Sequence, residues 1–137
     1  MYKCTHFKIY ELVDPVTYNK YGQRAWQFLD PKALMLIDKL REVFGSCTIN
    51  NWKWNGSYKW SGLRTPSCII GASMSQHRFG RAFDLKFKNI SAPEVRKAIK
   101  EDAGYWEAQG LCGMENKTPT WVHIDTRNVD PIKFFNP

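Results

Sequence analysis

Two short segments constrain this fold more than anything else in the chain. Ser75-Gln76-His77-Arg78-Phe79-Gly80-Arg81-Ala82-Phe83-Asp84 reads as SxHxxGxAxD, and much further along Trp121-Val122-His123-Ile124-Asp125 reads as WxHxD. Between them they hold two of the chain's three histidines. A hydrolytic zinc site takes three protein ligands from His and Asp or Glu at roughly 2 Å and leaves a fourth position for water. His77, Asp84 and His123 supply that donor set, so the fold has to bring three distant side chains around one cation. The remaining histidine, His6, lies near the terminus with no metal-like neighbour.

The surrounding sequence suits such a meeting. Strand-like runs, rich in β-branched or aromatic residues and alternating in polarity, lie at 47–52, 81–87 and 121–126. Gly80 permits a tight turn into the second run, Ala82 leaves room, and Asp84 shares a strand face with Ala82. Asp125 in turn shares the face of His123. The clearest helix opens at Asp30-Pro31, where Asp can cap exposed amides and Pro fits the first turn. Leu34, Ile37, Leu40, Val43 and Phe44 then recur at helical spacing until Gly45 stops it. Ser91 and Glu94 form an SxxE capping box for a second helix, which carries Val95, Ala98 and Ile99 inward and frays before Gly104. Residues 55–75 are full of Gly, Ser, Pro and Thr and predict a long loop just ahead of the first histidine, the kind of loop that is usually functional.

With 137 residues, 43% of them hydrophobic, the chain can build one core but not two, so residues 1–137 are expected to form a single α+β domain. No run of about 18 apolar residues and no secretory leader pattern is visible, which predicts cytoplasmic synthesis without stable membrane insertion. Cys4, Cys47, Cys68 and Cys112 are scattered, with no CxxC pair, and read as free thiols in a reducing compartment. A net charge of +7 and a pI near 9.3 favour polyanions in general, whether nucleic acid or the phosphates and carboxylates of a bacterial envelope. No recognised basic motif accompanies that charge, so nucleic acid is not the expected partner. Trp52, Trp54, Tyr58 and Trp60 cluster beside the loop that leads to Arg64. Such rings either stack on sugars and line a peptide groove or fill the core.

SxHxxGxAxD followed by WVHID, with Ser61-Gly62-Leu63-Arg64 upstream, resembles the zinc D-Ala-D-Ala carboxypeptidase and hedgehog-like metallopeptidase family. That family includes bacteriophage endolysins that cut the peptidoglycan stem peptide. The resemblance extends from Ser61 to Arg127. It implies a small antiparallel sheet backed by helices, and zinc held by His77, Asp84 and His123. It also implies an arginine, matched by Arg64, that pairs with a substrate carboxylate or stabilises the oxyanion. Ser75 and Trp60 are expected beside Arg64 in substrate binding. The implied partner is bacterial peptidoglycan, met by a monomer made in the cytoplasm, the host's if the chain is a phage lysin, and acting on the cell wall.

Members of the family place an acidic residue three positions before the second histidine. Here that position is Thr120, whose hydroxyl cannot take a proton from water at neutral pH. Glu115 in Gly113-Met114-Glu115-Asn116 and Asp125 remain as candidate general bases. Two residues along a strand span about 6.8 Å, which suits Asp125 better to orienting a ligand or Arg64, so Glu115 is the expected base. A second reading, a catalytically inactive wall-binding or virion structural module on the same scaffold, follows from the missing carboxylate at position 120.

Overall fold

The structure, a computed structural model, describes Met1–Asn136. Its largest helix, α2 (Pro31–Phe44), begins as the sequence predicts: the Asp30 carboxylate accepts from the Lys32 amide, and Gly45 ends the helix at φ 92°. Leu34, Ile37 and Leu40 are fully buried, whereas Val43 is 52% exposed, a correction to its expected inward position. The core is reached instead by Phe44, which stacks on Trp106 with ring centroids 5.7 Å apart. A preceding helix, α1 (Pro15–Tyr21), is capped by Asp14, which accepts from the Thr17 amide. Asp38 on α2 is buried and accepts from the Tyr2 hydroxyl and the Thr5 and His6 amides, tying the N-terminal segment down.

Five strands follow: β1 (Cys47–Thr48), β2 (Ala82–Phe87), β3 (Gly113–Glu115), β4 (Val122–Asp125) and β5 (Lys133–Phe135). They form one sheet in the order β1-β2-β4-β3-β5. All neighbours are antiparallel except β3 and β5, which run parallel, so the sheet is mixed and the expected antiparallel sheet is corrected. The cause is a filled slot. The chain reverses after β4, but both edges of β4 are already paired, so the returning strand joins the free edge of β3 and runs in its direction.

The first predicted strand also shortens. Asn50 leaves the sheet because its amide donates to the Glu11 carbonyl and its side chain bridges the Val13 carbonyl and the Ser61 amide. α3 (Ala92–Glu101) has the predicted Ser91–Glu94 capping box, with Val95 and Ile99 buried. That helix ends at Glu101, before Gly104 as expected, and after Asp102 a separate helix follows, α4 (Ala103–Ala108), which buries Trp106 despite the poor helix propensity of Gly104.

Strand alternation divides the sheet into two faces. Phe83, Leu85, Met114, Val122 and Ile124 are fully buried in the hydrophobic core, where α2 packs on β2 and α3 on β4. The intervening residues, Asp84, Lys86, Glu115, His123 and Asp125, belong to the opposite face. Among the described residues no helix is long and apolar enough to cross a membrane.

Candidate metal centre

Register places most of the site. In the β2–β4 ladder Asp84 pairs with His123 and Ala82 with Asp125. In the β3–β4 ladder Gly113 pairs with Asp125 and Met114 with Ile124, so Glu115 continues the row beside His123. His77 arrives from the 3-10 turn Gln76–Phe79, where the Ser75 hydroxyl accepts from the His77 amide. Gly80 closes that turn in the left-handed region, at φ 69°, and a side chain there would collide with the Phe28 carbonyl. The turn therefore needs glycine for two independent reasons.

His77, Asp84 and His123 are all buried, and their donor atoms lie within 4.8 Å of one another. The outer nitrogen of each ring is occupied: His77 Nδ1 is 2.9 Å from the Gly62 carbonyl oxygen, and His123 Nε2 is 2.9 Å from Asp125 Oδ2. Both partners are acceptors, so each outer nitrogen carries a proton, and the inner nitrogen is the one that can present a lone pair to a cation, on His123 in exchange for a proton. Those inner nitrogens converge on one carboxylate oxygen, His77 Nε2 at 3.3 Å and His123 Nδ1 at 3.0 Å from Asp84 Oδ1. Three lone-pair donors aimed at one point repel each other unless a proton or a cation lies between them, so the donor set fits a divalent metal. Outer hydrogen bonds that fix the tautomer of each imidazole are the usual support of a metal-binding histidine.

The charges follow from this packing. Burial alone would push Asp84 toward its neutral form, but the His77 and His123 imidazoles reverse that and hold its carboxyl well below the usual carboxylate range. Burial also disfavours a charged His123, yet its hydrogen bonds to Asp125 and Asp84 push the imidazole up to about 9. Asp125 has no exposed surface and accepts from Arg127 Nε at 2.8 Å and Nη2 at 2.6 Å. Burial works against its charge, but His123 and Arg127 keep it near 2. Gly113 makes this pair possible, because a Cβ there would lie 2.5 Å from Asp125 Oδ1 and 2.7 Å from Arg127 Nε.

A cavity of about 460 Å³ opens over the three residues, lined among others by Arg64, Ser75, Glu115, Trp121 and Phe135. Glu115 Oε1 is 4.0 Å from His123 Nδ1, and burial raises its carboxyl above the ordinary range against the pull of His123. Arg64 is held at two points, donating from Nε to the Trp60 carbonyl at 2.8 Å and from Nη2 to Asp84 Oδ2 at 3.4 Å. Trp60 thus contributes its backbone, and its ring is not part of the cavity lining. Asp125 is likewise absent from that lining, behind His123. Thr120 is exposed, beside a smaller cavity formed by Tyr58, Ser61, Asp84, Lys86 and Trp121.

Sequence reasoning missed Arg127 and Lys86. Lys86 carries a signal, a position two residues beyond Asp84 on β2 and therefore on the same side of that strand, whereas Arg127 lies past the end of β4 and folds back onto Asp125. Burial pulls the Lys86 ammonium down to about 8, against the attraction of Asp84. Comparison with known proteins identifies no relative: no family model matches the chain, and neither a curated protein nor a solved structure does.

Proposed function

We propose that the chain is a zinc peptidase that hydrolyses an amide bond in the peptidoglycan stem peptide, as a phage lysin or a wall-remodelling enzyme of the D-Ala-D-Ala carboxypeptidase and hedgehog-like type. The observation that carries this reading is the convergence of His77 Nε2, Asp84 Oδ1 and His123 Nδ1, each imidazole locked from behind, at the floor of an open cavity. Two neutral imidazoles and one carboxylate are the ligand set of hydrolytic zinc. When bound there, zinc supplies Lewis acidity and makes a nucleophile of water at neutral pH.

The chain's own residues supply the rest. Glu115 stands over the triad, and its burial keeps its proton affinity above that of a solvated carboxylate. It takes the proton of the attacking water on Oε1 and returns it to the leaving amine, as a general base that becomes a general acid. Asp125 is unsuited to that task, because a carboxylate fixed by two Arg127 hydrogen bonds and titrating near 2 is a weak base. Its work is to hold the His123 ring. Arg64, anchored through Nε and Nη2, directs its remaining N–H groups to the oxygen that becomes negative when the carbonyl is attacked.

The position of Glu115 favours catalysis over the inactive wall-binding module, since it fills the role that Thr120 cannot. Metal analysis of the purified protein, followed by incubation with peptidoglycan with and without a chelator, tests the reading. Mass spectrometry should find new amino and carboxyl ends only in the zinc-loaded sample. An intact wall in the presence of stoichiometric zinc would transfer the protein to the binding-module class.

A further inference from the structure

Three cations stand around the metal triad, and two of them are committed. Arg127 is locked to Asp125, and Arg64 is tied to Asp84. The third, Lys86, is the next residue of β2 on the same face as Asp84. Its ammonium donates to Ser61 Oγ at 2.8 Å and lies 3.4 Å from the backbone oxygen of Asp84 and 4.1 Å from the centre of the Tyr58 ring. These contacting groups are neutral, and the Asp84 carboxylate, already shared with Arg64 and two imidazoles, attracts the half-buried ammonium without forming an ion pair with it among the described residues.

That charge faces a cavity of about 200 Å³ formed with Tyr58, Ser61, Asp84, Thr120 and Trp121. Asp84 and Trp121 line both this cavity and the larger one, so the two are neighbours. A substrate that lies across the triad and extends past Asp84 and Trp121 would reach Lys86. From this we infer that Lys86, with the Ser61 hydroxyl, forms an anionic subsite that takes a carboxylate of the substrate peptide one or two residues from the bond cut.

The inference rests on the proposed hydrolysis of stem peptides and names what they must carry. Residues two apart on β2 are about 6.8 Å from each other, and an extended peptide advances about 3.3–3.6 Å per residue. A carboxylate one to two residues from the scissile bond matches that reach. It also divides the labour: of the two roles open to Arg64, oxyanion stabilisation is retained and carboxylate recognition passes to Lys86. In a stem peptide the group has two sources, the terminal D-alanine and the α-carboxylate of the γ-linked D-glutamate.

The test uses the zinc-loaded full chain in a Glu115→Gln background, so that binding is measured without turnover. The probe is the pentapeptide L-Ala-γ-D-Glu-L-Lys-D-Ala-D-Ala as the free acid, as its C-terminal amide, and with the glutamate α-carboxylate amidated. Calorimetry should give one amidated form at least tenfold weaker binding than the free acid, and which form weakens identifies the source. Lys86→Met should reduce the free acid to the affinity of that amide and leave the amide itself unchanged, while Lys86→Arg should restore part of the difference. Equal binding of all three peptides to the protein with Lys86 intact overturns the inference with no Lys86 variant needed, as does equal weakening of every form by Lys86→Met or no measurable binding at all. Cleavage by the chain with its native Glu115 is scored separately. The predicted binding pattern without cleavage leaves the subsite standing and removes the peptidase reading. Cleavage with binding indifferent to Lys86 does the reverse.

Discussion

Without its metal, the protein should lose stability as pH rises from 6.5 to 8, and the cause is a single buried ring. His123 lies between Asp125 and Asp84, and the two carboxylates raise its folded-state pKa to about 9. The unfolded chain returns it to its ordinary value of about 6.5. A raised folded pKa means that the folded state holds the proton more tightly, so the stabilisation is complete below about 6.5 and vanishes as pH climbs through 9. The interval to pH 8 covers about one and a half units at roughly 1.4 kcal/mol each, or about 2 kcal/mol of unfolding free energy. The ring is 5% exposed, so solvent screening takes little from that figure. Asp84 and Asp125 titrate far below the interval, and Lys86, depressed to about 8, adds stability only above it. Urea unfolding at several pH values in the presence of a chelator gives the curve. Zinc-saturated protein is the comparator. Metal and proton compete for the same nitrogen, so apparent zinc affinity should rise about tenfold per pH unit across this range, and the gap between loaded and metal-free midpoints should widen. A metal-free stability that stays flat between pH 6.5 and 8, with an unchanged urea slope, would refute the picture of a proton shared among His123, Asp84 and Asp125.

Two further outcomes follow from the same geometry. Glu115→Gln should reduce peptidoglycan cleavage by about 100-fold or more while zinc content stays as in the unmodified protein, because the residue moves protons and is not a ligand; product release and metal analysis on one preparation check both halves. Gly113→Ala should cost about 1–3 kcal/mol, since its Cβ would press on the Asp125 carboxylate and on Arg127 Nε, and chemical denaturation measures the loss.

Much of the site was legible because the chemistry lies in residue identity. The donors His77, Asp84 and His123 declare themselves by type, and the alternation around Asp84 and His123 already marked two strands. The helices at 31–44 and 92–101 carry their own caps, so their starts were readable from Asp30-Pro31 and from Ser91 with Glu94. The end of the second helix before Gly104 was readable too, whereas α4 beyond it was not, because the burial of Trp106 that supports it is not a local property.

What remained hidden was adjacency. β3 and β5 are three residues each, too short to show a period, and they exist because a neighbouring edge was free to pair with them. The placement of Glu115 beside His123 is a matter of register, and a slip of one residue would turn it to the core face. The core packing of Met114, Ile124 and Phe83 sets that register. Which groups can hold a cation was settled by residue type alone, since lone pairs and charge belong to the side chain. That Asp125 lies behind His123, that Glu115 lies in front of it, and that Lys86 is left outside any ion pair came from the packing of the chain, because these depend on which strand edges meet.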